Sequence, residues 1–272
     1  MTWGLVLSGG NGIANIGVLN ILEREGLRPD FIAGSSAGAL VGASYALGIP
    51  LSALTDIVKT LRLTNAFSWS AHPFREGLLR PRFTELLTPL LHDARIGGCR
   101  IPFVCVAGRV QSPIPWTTFL FSPSLSTRFH ESVEPYVFPP ETRILDAINA
   151  SSALPILFPP VTIDRHTFVD LCLFGAVPVR TLRTIHHPDT VIATNTTFSF
   201  PVVEHVGPPG LRSLLREGRR ELRQDLAAAN LVITPAMRHA CFRFDCGPDF
   251  IEDGEKATEM VKGTLLKILR PE

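Results

Sequence analysis

Between Gly4 and Pro50 the chain alternates short apolar runs with glycine-bounded amphipathic stretches. Gly4 to Ser8 (G-L-V-L-S) is apolar and ends in Gly9-Gly10-Asn11-Gly12, the pattern of a buried strand running into a tight turn. Ile16, Leu19 and Leu22 then recur at helical spacing, followed by Glu23-Arg24-Glu25 and stopped by Gly26. Phe31, Ile32 and Ala33 predict a second strand, which Gly34-Ser35-Ser36-Ala37-Gly38 breaks. A helix of small residues is expected from about Ala39 to Leu47, closed by Gly48 and Pro50. Strand, helix, strand, helix in that order argues for a parallel sheet with crossover helices.

Further along, Ser52 is expected to cap a helix carrying Leu54, Ile57, Val58 and Leu61. Phe83, Leu86, Leu87, Leu90 and Leu91 predict another amphipathic helix, with a surface loop from Asn65 to Arg80 before it. Ile101 to Ala107, Thr117 to Phe121, Val191 to Thr194 and Leu231 to Ile233 have the character of strands. Ile144 to Ala150 predicts a short helix, and Thr258 to Leu269 a closing one. The chain shows neither a repeat nor a linker, so a single domain over residues 1–272 is expected.

Composition narrows the class. Apolar residues make up 45% and charged ones 19% of the 272 residues, which excludes disorder and suits a well-buried core. A net charge of +1 gives no footing for nucleic acid. The five cysteines (Cys99, Cys105, Cys172, Cys241 and Cys246) lack C-x-x-C spacing and read as reduced, core-filling thiols; a Cys241–Cys246 pair is the less favoured alternative. The histidines lack ligand spacing, so no metal is expected. The glycine loop lacks the third glycine and the acidic residue of a dinucleotide site, so no cofactor is expected either. The N-terminus has neither a basic leader nor a cleavage site, and no run reaches the ~20 apolar residues of a membrane span. A soluble or peripheral, cytoplasmic protein is the expectation, with no oligomeric state assigned.

Gly34-Ser35-Ser36-Ala37-Gly38 is a G-x-S-x-G pattern between a predicted strand and a predicted helix. A nucleophile on so sharp a turn needs small neighbours, because the backbone is strained and larger side chains would collide. The turn also sets Ser36 at a helix start, where amides and dipole favour developing negative charge. The plain alternative is a glycine turn that only lets helix and sheet pack closely. A histidine-dependent triad would draw on His186, His187, His205 or His239, none of which sits in a motif.

Four blocks, in one order, resemble the patatin-like phospholipase family of bacterial type. They are Ser8 to Leu19 (S-G-G-N-G-I-A-N-I-G-V-L), Ala33 to Ala39, Ala150 to Val161 (A-S-S-A-L-P-I-L-F-P-P-V) and Phe168 to Val179 (F-V-D-L-C-L-F-G-A-V-P-V), with weaker likeness at Ile251 to Ala257. The resemblance implies a three-layer α/β/α fold with a mostly parallel central sheet. It also implies a serine–aspartate dyad, with Ser36 as nucleophile and Asp170 as base, and an oxyanion hole from the Gly9, Gly10, Asn11 and Gly12 loop. The sequence departs from the family in two places. The loop is about two residues short and carries no basic residue, with Asn15 where a histidine is common, and Leu171-Cys172 follows Asp170 in place of two small residues.

The resemblance implies a lipid or other acyl ester as substrate, and a serine acyl hydrolase of lipase or phospholipase A type. Two alternatives stay open: a catalytically impaired relative that binds a lipid or protein partner, and an acyltransferase using the same serine. Leu211, Leu214, Leu215, Leu222 and Leu226 form one helical face, with Arg212, Arg216, Arg219, Arg220 and Arg223 around it. That pattern fits an ordinary sheet-covering helix better than one lying on an anionic bilayer. The aromatic stretch Phe67 to Phe74 is the other candidate for peripheral membrane contact.

Overall fold

The computed structural model describes residues 1–70, 78–82, 85–112, 131–155, 157–172, 177–197, 207, 209–240 and 243–270. In chain order its strands are β1 (Trp3–Leu7), β2 (Phe31–Ser35), β3 (Phe67–Trp69), β4 (Leu79–Pro81), β5 (Phe103–Val110), β6 (Val133–Val137), β7 (Val161–Ile163), β8 (His166–Val169), β9 (Thr190–Thr194) and β10 (Leu231–Ile233). The longer helices are α1 (Ala14–Arg24), α2 (Ala37–Leu47), α3 (Leu51–Thr60), α4 (Ile144–Ser151), α5 (Val179–His186), α6 (Pro209–Ala227) and α7 (Gly247–Leu269).

The main sheet runs in the order β10-β9-β1-β2-β5-β8-β7, with β6 also paired to β5. Strands β10, β9, β1, β2 and β5 are parallel, while β6, β8 and β7 join antiparallel. Successive side chains of a strand point to opposite faces, so each parallel strand feeds two cores. On β1, Leu5 and Leu7 pack with apolar residues of α1, α2, α3, α4 and α7, whereas Val6 faces α5 and α6. This is a three-layer α/β/α arrangement on a mostly parallel sheet, as the alternation and the resemblance led one to expect.

The leucine stripe of α6 covers the sheet: Leu214 and Leu215 are buried, and Leu211, Leu222 and Leu226 are half-buried against the same cluster. Helices α1 and α7 cross closely. A Cβ on Gly17 would stand 1.9 Å from the Ile251 carbonyl oxygen, and one on Gly254 2.0 Å from that of Ala14. That contact gives the Ile251–Ala257 block its physical role.

Several expected elements differ in detail. Helix α3 starts at Leu51 behind Pro50, with no side-chain cap, so Ser52 lies inside the helix. The helix expected over Phe83–Leu91 is a 3₁₀ turn, Glu85–Leu87, followed by Thr88–Leu91, with a proline in the first turn. Pro89 has no N–H to continue a helix from upstream. Part of the expected loop between Asn65 and Arg80 is the β3–β4 antiparallel pair. Helix α7 begins at Gly247, well before Thr258, because Pro248 in its first turn starts a helix that Gly254 and the polar residues hid from a periodicity count. The hairpin β7–β8 turns through Asp164 and Arg165, both at positive φ, which sequence reading normally finds by a glycine or asparagine. Thr117–Phe121, Phe83, His205 and Cys241, and with Cys241 any pairing to Cys246, lie outside the described residues. Cys99, Cys105, Cys172 and Cys246 are free thiols. No helix among the described residues is long and apolar enough to cross a membrane.

Candidate active site

Strand β2 ends at Ser35, and the chain enters α2 through Ser36 at φ 52° and ψ −130°. A non-glycine residue held at such angles costs on the order of 1–3 kcal/mol and persists only where its surroundings impose it. Here they do. The Ser36 amide donates to Ser151 Oγ (2.7 Å), and that hydroxyl donates to the Val106 carbonyl on β5 (2.6 Å). Gly38 passes so near β1 that a Cβ would lie 2.1 Å from the Leu7 carbonyl oxygen. A Cβ on Gly9 would lie 2.8 Å from that of Ser36. Contact, more than backbone freedom, demands both glycines.

The glycine loop is tied to the end of β9. Thr196 donates its amide to Ser8 Oγ (2.7 Å) and its hydroxyl to the Gly9 carbonyl (2.8 Å), while its own carbonyl accepts the Asn11 amide (2.9 Å). Asn15 donates Nδ2 to the Ser8 carbonyl (3.1 Å). Of the four residues expected to offer amides, Asn11 therefore has its N–H committed to Thr196. The amides of Gly10 and Gly12 have no protein acceptor among the described residues, and both glycines line a cavity with Ser36.

Asp170 follows β8 and is 2% exposed. Its amide donates to the Ala153 carbonyl (2.9 Å), and its Oδ1 accepts the Cys172 amide (2.7 Å). Burial pushes its carboxyl from 3.8 up to about 6, against hydrogen bonding from the Ser36 hydroxyl and then from Cys172. The two residues following it part company. Leu171 packs beneath the sheet against Gly108 and Val133, away from the nucleophile, whereas Cys172 lines the cavity.

The cavity encloses about 150 Å³ and brings Ser36, Asp170, Gly10, Asn11 and Gly12 to one space. Most of its remaining lining is apolar, including Leu40, Leu54, Val58, Leu61, Phe67 and Phe158. Such a space admits a hydrocarbon chain and strengthens every polar interaction inside it. Among the described residues no histidine lines this cavity: His186 stacks on Phe31 at 4.5 Å, and His239 pairs with Asp249. Sequence reading missed Ser151 and Thr196 as holders of the turn and loop. Ser151 lies in the A-S-S-A-L-P block, which pointed to it; Thr196 carried no signal. Among the described residues His239, Cys246 and Asp249, whose potential ligand atoms lie within 4.8 Å of one another, are outside this lining.

The family model described as patatin-like phospholipase matches residues 5–183. Over 121 residues the chain is 31% identical to the lysophospholipase NTE1 of Kluyveromyces lactis, a match covering 41% of this chain and 8% of that protein. It is 32% identical over 121 residues to the lysophospholipase NTE1 of Candida glabrata, covering 41% and 7%. The chain thus matches less than a tenth of these relatives' length. Among solved structures, VipD from Legionella pneumophila superposes with a TM-score of 0.48 at 12% identity, covering 97% of this chain and 67% of that one.

Proposed function

The chain belongs to the patatin-like phospholipase family, and from that premise we propose that it is a lipid acyl hydrolase working through a Ser36–Asp170 dyad. The observation that carries this reading is the convergence of a strained serine and a buried carboxylate, raised to about 6, in one apolar cavity. A base with a pKa near neutrality is ionised at working pH yet still attracts a proton.

Ser36 Oγ attacks the ester carbonyl carbon while its proton passes to Asp170. The carbonyl oxygen becomes an oxyanion, held by the free amides of Gly10 and Gly12 and by that of Ala37, the first residue of α2, which also lines the cavity. Collapse of the tetrahedral species expels the alcohol, which takes the proton back from Asp170. Water, activated by the same carboxylate, then cleaves the acyl-serine. The apolar lining holds the acyl chain and excludes water from the dyad. A lysophospholipid, the substrate in the names of the NTE1 relatives, is the substrate class we favour, since it brings one chain to one apolar cleft.

The commitment of the Asn11 amide to Thr196 favours the second reading, a relative with impaired catalysis that still binds lipid, because one missing oxyanion donor typically costs about 10²–10³ in rate. A fluorophosphonate probe separates the two. Labelling of the wild type and its loss in Ser36→Ala is the expected result; an unlabelled wild type that still binds lysophospholipid would establish the second reading.

A further inference from the structure

We propose that His239, Cys246 and Asp249 form a binding site for one divalent cation of zinc's borderline-soft class, separate from the cavity that holds Ser36. Each offers one ligand atom, and these atoms all lie within 4.8 Å of one another. A tetrahedral ion bonded at about 2.0–2.3 Å needs its ligand atoms roughly 3.3–3.8 Å apart, so the approach required is small. His239 Nε2 already meets Asp249 Oδ2 at 2.7 Å, and the cation would replace the proton between them.

The backbone sets up the cluster. Cys246 is the N-cap of α7 and Asp249 sits in its first turn, so one helical turn brings the thiol and carboxylate to the same end. His239 comes from the segment between β10 and α7, and the ring of Phe250 meets its imidazole edge-on at 6.1 Å between centroids. An ion pair alone would need only His239 and Asp249; the thiol adds a third donor. All three groups are half-buried, which leaves a path for entry and for a water as fourth ligand.

Charge and donor type select the ion. Calcium and magnesium take oxygen ligands, whereas thiolate with imidazole suits zinc. The positive end of the α7 dipole opposes a bare cation but favours the thiolate and carboxylate that would neutralise it. Arg243, whose guanidinium is 3.6 Å from Cys246 Sγ, is balanced by Asp245 at 2.8 Å. Arg243 and Phe250 both line the cavity, so the cation would fasten a segment that forms part of the cavity wall. Its role is structural, and it stands whether or not Ser36 is catalytic.

The test uses the full chain without a histidine tag, reduced and stripped of metal by a chelator. Cobalt(II) titration should raise a near-ultraviolet thiolate-to-metal charge-transfer band that saturates at one equivalent. The band should be lost in Cys246→Ser and strongly weakened in His239→Ala, and kept in Cys172→Ser. No band, or a band unchanged in Cys246→Ser, overturns the proposal. Should the variants not fold, alkylation of the wild type decides. Stoichiometric zinc is expected to slow maleimide labelling of Cys246 about tenfold, read by peptide mass, and equal labelling with and without zinc overturns it.

Discussion

The two turns that meet at the cavity hold their side chains under opposite kinds of tension. At Ser36 the tension is in the backbone: φ is positive, and the glycines on either side pack with no room for a Cβ. At Asp170 φ is not positive and the tension is electrostatic, a carboxylate kept from water with the Cys172 amide donating to its Oδ1. The first kind is indifferent to pH and intolerant of a single added methyl group. The second tolerates an isosteric exchange and changes with every step in pH. A site built from both can hold a reactive pair in register while leaving its base tunable.

The largest expected effect is on rate. Asp170→Asn keeps the shape of the turn and removes the base, and kcat/KM on a lysophospholipid or short nitrophenyl ester should fall by about 10³–10⁴. The wild type should lose activity as pH drops through about 6, where Asp170 takes up its proton; a flat profile from pH 4 to 8 would remove Asp170 as the base. Next comes Gly38→Ala, whose methyl would meet the Leu7 carbonyl at 2.1 Å. A loss of about 4 kcal/mol or more is expected in urea unfolding, the range of mutations that force a backbone apart.

The third effect separates the two tensions. A carboxyl raised from 3.8 to about 6 in the folded state favours folding only while protonated, so that contribution is complete below 3.8 and lost as pH rises through 6. Asp170→Asn, with nothing to ionise, should therefore be more stable than wild type by about 3 kcal/mol at pH 7.5 and about equal to it near pH 4. A gap of the same size at both pH values would show that charge burial is not its cause. The smallest effect is at Ser36. Ser36→Gly relieves the positive φ and should gain about 1 kcal/mol at pH 4, where Asp170 is protonated, and less at pH 7.5, where the ionised carboxylate loses a hydroxyl that favours its charged form. A loss at pH 4 would mean that the positive φ at Ser36 carries no strain that glycine relieves.

Much of this was legible along the chain. The strands β1 and β2 and the helices α1 and α2 follow from apolar spacing and glycine stops, since each is decided by neighbours a few positions away. Leu171 is a departure from two small residues whose consequence its position along the chain does not reveal; in the fold it packs on the opposite face of the sheet from the serine. The hairpin β7–β8 was hidden because Asp164 and Arg165 adopt positive φ without a glycine to announce it. The Cys246–Asp249 turn gave no periodic sign beside Gly247 and Pro248.

By itself, the sequence determined the local pieces: a strand, a serine turn and a helix at one end, and a carboxylate after an apolar run far along the chain. Those depend on spacing and on side-chain size, which are written in order. Only the tertiary structure decided that Asp170 loses its water, that Thr196 takes the Asn11 amide, and that His239 comes beside Cys246 and Asp249. Solvation and hydrogen-bond partners are properties of a site assembled from distant segments, and they exist only once those segments have met.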